Sequence, residues 1–230
     1  MNQSEHTSKQ FDIELEDLRS RVLQMGGLVE SQIMTAMEAL NIGSEDSVNR
    51  VLENEKQVNQ CEKDIDDACI HLVARRQPAA SDLRLIMGIS KVVTDLERIG
   101  DEADKIARRA RAIYARGVLN IPQTIDIPST GQKAVLMLRR VLDAMARLDA
   151  PEATKIIADD KLIDIEFSAI MRQLITYMME DPRTITTSLD IVWIAKAIER
   201  VGDHSKNIAE QVIYIAMGTD IRHRSDALTS

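Results

Sequence analysis

The chain repeats itself. Residues 97–108 read ERIGDEADKIAR and residues 199–210 read ERVGDHSKNIAE, an offset of 102. Glu97/Glu199, Arg98/Arg200, Gly100/Gly202, Asp101/Asp203, Ile106/Ile208 and Ala107/Ala209 are identical, and Ile99/Val201 is a conservative pair. The match continues upstream at lower quality. Pro78 stands before the first window and Pro182 before the second, and Glu55-Lys56-Gln57-Val58-Asn59 resembles Asp160-Lys161-Leu162-Ile163-Asp164. A duplication of this length means that both halves form the same supersecondary unit, so the whole fold is two copies related by a pseudo-two-fold axis.

The unit is helical. Only nine Gly and five Pro occur in 230 residues, and aromatics are 3%. Ala, Leu, Ile, Met, Glu, Arg and Lys dominate, and these side chains lose little freedom in a helix. Apolar residues recur every three or four positions, as at Ile13, Leu15, Leu18, Val22, Met25, Val29, Ile33, Ala36 and Leu40. That pattern gives a first helix from about Ser8 to Leu40, closed by Gly43. Gly26 and Gly27 inside it imply close approach of a neighbouring helix.

Ser44 caps a second helix, which reaches Gln77 with Val48, Val51, Leu52, Val58, Ile65, Ala68, Leu72 and Val73 inward. Pro78 stops it, and Ser81 is the candidate cap of a third helix ending near Arg116. Residues 117–129, with Gly117, Pro122, Pro128 and an alternating segment from Ile121 to Ile127, read as a linker. Three further helices run from about Thr130 to Leu148, Pro151 to Met179 and Thr184 to Met217. Asp149 caps the fifth, Asp181-Pro182 breaks it, and Gly218 ends the sixth. The expectation is therefore an all-α fold of two tandem three-helix bundles. Residues 8–116 form the first repeat and 130–218 the second, with a loose polar tail at 219–230.

Within each window an acid pair is spaced i, i+4, Glu97 with Asp101 and Glu199 with Asp203, so both carboxylates lie on one helix face. Like charges at this spacing repel by ~0.2–0.5 kcal/mol, and a cation between them reverses the sign. Oxygen-only ligands suit hard cations such as Mg, Ca or Mn, and iron with bridging ligands. The plainer reading is a solvated charged stripe partly neutralised by Arg98 and Arg200. Gly100 and Gly202 interrupt apolar rows, Leu96, Ile99, Ala103 and Ile106 in one half and Ile198, Val201, Ser205 and Ile208 in the other. Their smallness admits a neighbouring helix. His204 and His71 read as inert rather than as ligands.

Other functions lack their motifs. The net charge of -8 disfavours a nucleic-acid partner. No phosphate-binding loop, nucleophile elbow, dinucleotide fingerprint, HExxH or ExxH is present, so no catalytic residue is assigned. No apolar run approaches the ~20 residues of a spanning helix, and the polar start carries no secretory signal. Cys61 and Cys69 read as a reduced pair on one helix. These features point to the cytoplasm.

The two windows, with Leu72-Val73-Ala74-Arg75-Arg76-Gln77-Pro78-Ala79-Ala80-Ser81-Asp82-Leu83-Arg84 at the junction of the second and third helices, resemble the PhoU family over almost the whole chain, from about Phe11 to Met217. The resemblance implies a cytoplasmic, non-catalytic negative regulator of phosphate uptake and of the phosphate-starvation response. It implies an adaptor between the ATPase subunit of a phosphate-specific ABC transporter and a sensor histidine kinase, and a homodimer. It also implies metal on the acidic motifs, multinuclear iron or zinc, with Mg or Mn as further candidates. Residue by residue those motifs fall on Glu97, Asp101, Glu199 and Asp203. The second half lacks a counterpart of Asp82 and Arg84, so any role of these two belongs to one half. Two other readings are a carboxylate-bridged metal-dependent enzyme and a purely structural bundle.

Overall fold

The computed structural model of the protein describes residues 3–117 and 125–221, with side chains from residue 9 onward. Six helices carry it: α1 (Gln3–Ile42), α2 (Glu45–Arg76), α3 (Ala80–Ala115), α4 (Ile127–Arg147), α5 (Ala150–Glu180) and α6 (Ile185–Met217). A single 3₁₀ turn, Pro182–Thr184, joins α5 to α6. No strand occurs among the described residues.

Most boundaries follow local chemistry. The Ser44 hydroxyl accepts from the Ser47 amide and starts α2. The Asp149 carboxylate accepts from the Glu152 amide and starts α5. Gly43 and Gly218 take the left-handed conformation that closes α1 and α6, at φ 67° and 71°. The Tyr114 hydroxyl donates to the carbonyls of Leu40 and Asn41, which α1 leaves without intrahelical partners.

Four expectations need correction. The fourth helix starts at Ile127 rather than Thr130, because the Asp126 side chain caps it through the Ser129 amide and Pro128 is tolerated in the first turn. Ser81 is not a cap: α3 starts after Ala79, which makes no side-chain capping bond. Ile13 is 61% exposed, although it fits the apolar period of α1. Of the two glycines in α1, Gly26 packs against Leu142 of α4, whereas a Cβ at Gly27 would meet nothing within 4 Å. The expected linker segment 118–124 and the tail from 222 lie outside the described residues.

The helices assemble as two three-helix bundles, α1–α3 and α4–α6. Within the first, α1, α2 and α3 pack against one another, and α4, α5 and α6 do the same in the second. The bundles join through α3 against α6 and α1 against α4, leaving α2 and α5 on the flanks. Both joining pairs run antiparallel, as a two-fold axis perpendicular to the helices makes them. Along one pair Asp95 meets His204 and Arg109 meets Asp190. Along the other Gly26 meets Leu142 and Gly131 meets Met37. The core is aliphatic, with Leu18, Met25, Ile33, Leu96, Ile99, Leu138, Ile198 and Val201 almost fully buried. At 1.5 Å per residue, the 36 residues of α3 extend ~54 Å.

Candidate functional site: two acidic seams

Each window lies where its helix meets the flanking helix of its own bundle. Gly100 brings α3 close to α2: a Cβ there would meet Glu55 Oε2 at 3.2 Å and Val58 Cγ1 at 3.3 Å. Gly202 does the same for α6 and α5, against Asp160 Oδ1 at 3.2 Å and Ile163 Cδ1 at 3.0 Å. Gly100 and Gly202 are thus close-packing residues, and Glu55/Asp160 and Val58/Ile163 are true counterparts. Ile99, Ala103 and Ile106, with Val201, Ser205 and Ile208, are buried behind the seams. The helix faces are therefore fixed, and the acids project along the rim.

In the first seam the structure places Glu97 and Asp101 beside Glu55 and Glu62 of α2. Burial pushes the Glu97 carboxyl above its ordinary value, and the charges of Asp101, Glu62 and Glu55 add to the shift. Glu55 is raised by burial and then by Asp101 and Asp104, against a hydrogen bond from Gln32. Burial also raises Glu62, with Asp66 and Asp101 acting in the same direction. Arg98 compensates little, standing 3.5 Å from both Glu97 and Asp101 and half exposed. Beneath them Gln32 of α1, fully buried, donates to Glu55 Oε2 at 2.8 Å.

In the second seam Glu199 and Asp203 lie with Asp160 and Asp164 of α5. Burial raises the Asp203 carboxyl, and Glu199, Asp160 and Asp164 reinforce the effect. Here two ammonium groups intervene. Lys196 holds both oxygens of Glu199 at 2.6 and 2.5 Å, and Lys206 holds Asp160 Oδ2 at 3.0 Å.

The four acids expected from sequence are thus brought together in pairs, each pair in its own seam. Sequence reasoning missed the α2 and α5 acids as members of the site. The signal was present in the similarity of the Glu55 and Asp160 segments, and only the seam packing gives it meaning. His204 serves structure: its Nδ1 lies 2.9 Å from Asp95 Oδ1 across the α3/α6 joint. His71 is exposed on α2. Both cysteines are free.

Raised carboxyls held close by packing favour any cation that enters, and their oxygen donors match a hard divalent ion or iron. Among the described residues, no three His, Cys, Asp or Glu side chains converge tightly enough to hold a metal ion as they stand. The first seam offers carboxylate oxygens, the donor type such an ion takes. In the second, lysines already supply the positive charge. No helix among the described residues is long and apolar enough to cross a membrane.

Comparison with known proteins agrees with this architecture. The family model described as the PhoU domain matches residues 22–110 and 127–212, one match per bundle. The phosphate-specific transport system accessory protein PhoU homolog of Pseudomonas aeruginosa is 49% identical over 219 residues, covering 95% of this chain and 90% of that protein. The phosphate-specific transport system accessory protein PhoU of Escherichia coli K12 is 46% identical over 223 residues, 97% of this chain and 92% of that one. The crystal structure of PhoU from Pseudomonas aeruginosa superposes with a TM-score of 0.88 at 48% identity, covering 91% of this chain and all of that one. The phosphate transport system regulatory protein PhoU from Streptococcus pneumoniae gives 0.83 at 28% identity, covering 91% and 98%.

Proposed function

The chain belongs to the PhoU family, and from that premise we propose that it is a non-catalytic accessory protein of a phosphate-specific transport system. It restrains phosphate uptake and represses the phosphate-starvation response when phosphate is plentiful. The observation that carries this reading is the near end-to-end similarity to relatives that bear the name of transport accessory proteins. In the finer reading the protein works in the cytoplasm, as an adaptor between the transporter's ATPase subunit and a sensor histidine kinase. Long helix faces suit such docking, and the adaptor must bind one state of its partner better than the other to shift it. Deleting the gene is expected to switch starvation genes on in phosphate-rich medium. Normal repression in the deletion strain refutes the reading. Co-purification from membranes at high and low phosphate then identifies the partner.

Metal binding on the acidic seams is the second part of the proposal, supported by the crowded, raised carboxyls of Glu55, Glu62 and Glu97. Glu97 and Asp101, and Glu199 and Asp203, are the ligands proposed, with iron, zinc, Mg or Mn as candidate ions. Elemental analysis should find metal in the wild type and much less in the variant with all four changed to Ala. Equal content in both removes this part. Self-association to a homodimer completes the proposal, and sedimentation with and without metal tests it.

A further inference from the structure

The two seams are copies by descent and differ in the cations built into them. On α6, Lys196 stands where α3 has Thr94, and Lys206 stands where α3 has Asp104. On α5, Phe167 stands where α2 has Glu62, once Asp160 is set on Glu55 as the glycine contacts require. The exchanges act together. The Phe167 ring lies under Lys196, with Nζ 5.4 Å from its centroid, while the same ammonium grips Glu199. Lys206 grips Asp160, which is 2% exposed. In the first seam the corresponding Asp104 repels Glu55 instead, and its own partner, Arg108, holds its other side at 2.6 Å. Arg108 has Glu210 as its counterpart, so the sign of this pair is reversed between the halves.

We infer that the seams have divided the work: the first takes a divalent cation from solution, and in the second Lys196 and Lys206 are the resident cations. This rests on the metal reading of the previous subsection and narrows it from two seams to one. A second polar group faces the first seam besides its acids. Gln32, fully buried, has an Oε1 without a hydrogen-bond partner, 3.2 Å from the point a Cβ on Gly100 would take, beside Glu55. That oxygen is a neutral donor at the floor of a seam whose acids have only Arg98 and Arg108 beside them. The second seam's own buried, unpartnered oxygen, Asp160 Oδ1, belongs to a carboxylate whose other oxygen Lys206 holds. In the second seam burial works against the Lys206 charge, but the Asp160 hydrogen bond and the surrounding carboxylates outweigh it and hold the ammonium above its ordinary value. A cation entering there has to displace two ammonium groups.

The test is Mn2+ binding to the full-length, metal-stripped protein, with free Mn2+ counted by electron paramagnetic resonance. The wild type should show one class of site, lost in Glu97→Gln/Asp101→Asn. Lys196→Met/Lys206→Met should add a second class. Asp104→Lys, which gives the first seam the second seam's ammonium, should weaken the wild-type site roughly tenfold. Helical circular dichroism and melting of each variant confirm that it folds, and the Asp104→Lys arm carries the test if the double-lysine variant does not. Two equal sites in the wild type overturn this inference and leave the metal reading standing. A double-lysine variant that folds and gains no site overturns the inference, as does unchanged binding in Asp104→Lys. No Mn2+ bound by the wild type overturns both the inference and the metal reading.

Discussion

Adjacent residues with the same local preference have different tasks here. Gly26 and Gly27 both weaken α1 by ~1 kcal/mol relative to Ala, yet only Gly26 is filled against by Leu142. Gly27→Ala is therefore expected to stabilise the protein, and Gly26→Ala to come out at least about 1 kcal/mol less stable than it, because an added methyl overpacks the α1/α4 joint. Urea unfolding of the two variants checks this, and equal stability contradicts the packing role of Gly26. Glu14 offers a pH test away from the seams. Arg76 donates to it at 3.0 and 2.7 Å, and those hydrogen bonds hold its carboxyl below the ordinary value. A depressed folded-state value contributes stability above the unfolded value, which is lost as pH falls through the folded one. The stability difference between wild type and Glu14→Gln should thus shrink as pH is lowered from about 7 to about 3. A difference that stays constant rules out the ion pair as its source.

At the scale of the helix, caps decide where elements begin. Asp149→Ala removes the acceptor for the Glu152 amide and should cost about 1 kcal/mol. Ser81→Ala should change stability by less than about 0.5 kcal/mol, since the serine lies inside α3 and makes no cap. Thermal unfolding of both variants distinguishes a used cap from a residue that merely has a capping side chain. Arg84 adds an element-scale contact from the first half. Its guanidinium lies against Gly218 at the C-terminus of α6, where a cation meets the negative end of the helix dipole. The one-sided junction segment around Asp82 and Arg84 therefore ties the start of α3 to the end of α6.

At the scale of the molecule, the halves are joined by an interface with buried charge in it. Glu102 of α3 has a side chain 3% exposed and accepts from Lys105 and, across the joint, from Arg200, each at 3.0 Å. Asp190 of α6 is met by Arg109 at 2.8 Å and by Arg116. Opening this joint would strand carboxylates among apolar side chains, so the halves should unfold together. Hydrogen exchange is expected to give the amides around Leu96 and Ile99 the same opening free energy as those around Ile198 and Val201. Values for the two halves differing by more than about 2 kcal/mol would mean separate unfolding units.

Periodicity and punctuation alone were enough for the six helices, because a 3.6-residue apolar period and residues such as Ser44, Asp149 and Gly218 act within one or two turns. The duplication was equally legible, and with it the two bundles and the acid pairs Glu97/Asp101 and Glu199/Asp203. Burial at Leu96, Ile99, Val201 and Ile208 followed from the same pattern. Ile13 and Gly27 did not, since a helix end or face that projects past its neighbours keeps its period and loses its cover. The membership of Glu55, Glu62, Asp160 and Asp164 in the acidic seams was decided by tertiary structure, as was the pairing of His204 with Asp95. Those contacts join residues far apart in the chain, and their strength depends on how closely Gly100 and Gly202 let two helices approach. The sequence determined which charges the chain carries, and packing determined which of them face each other.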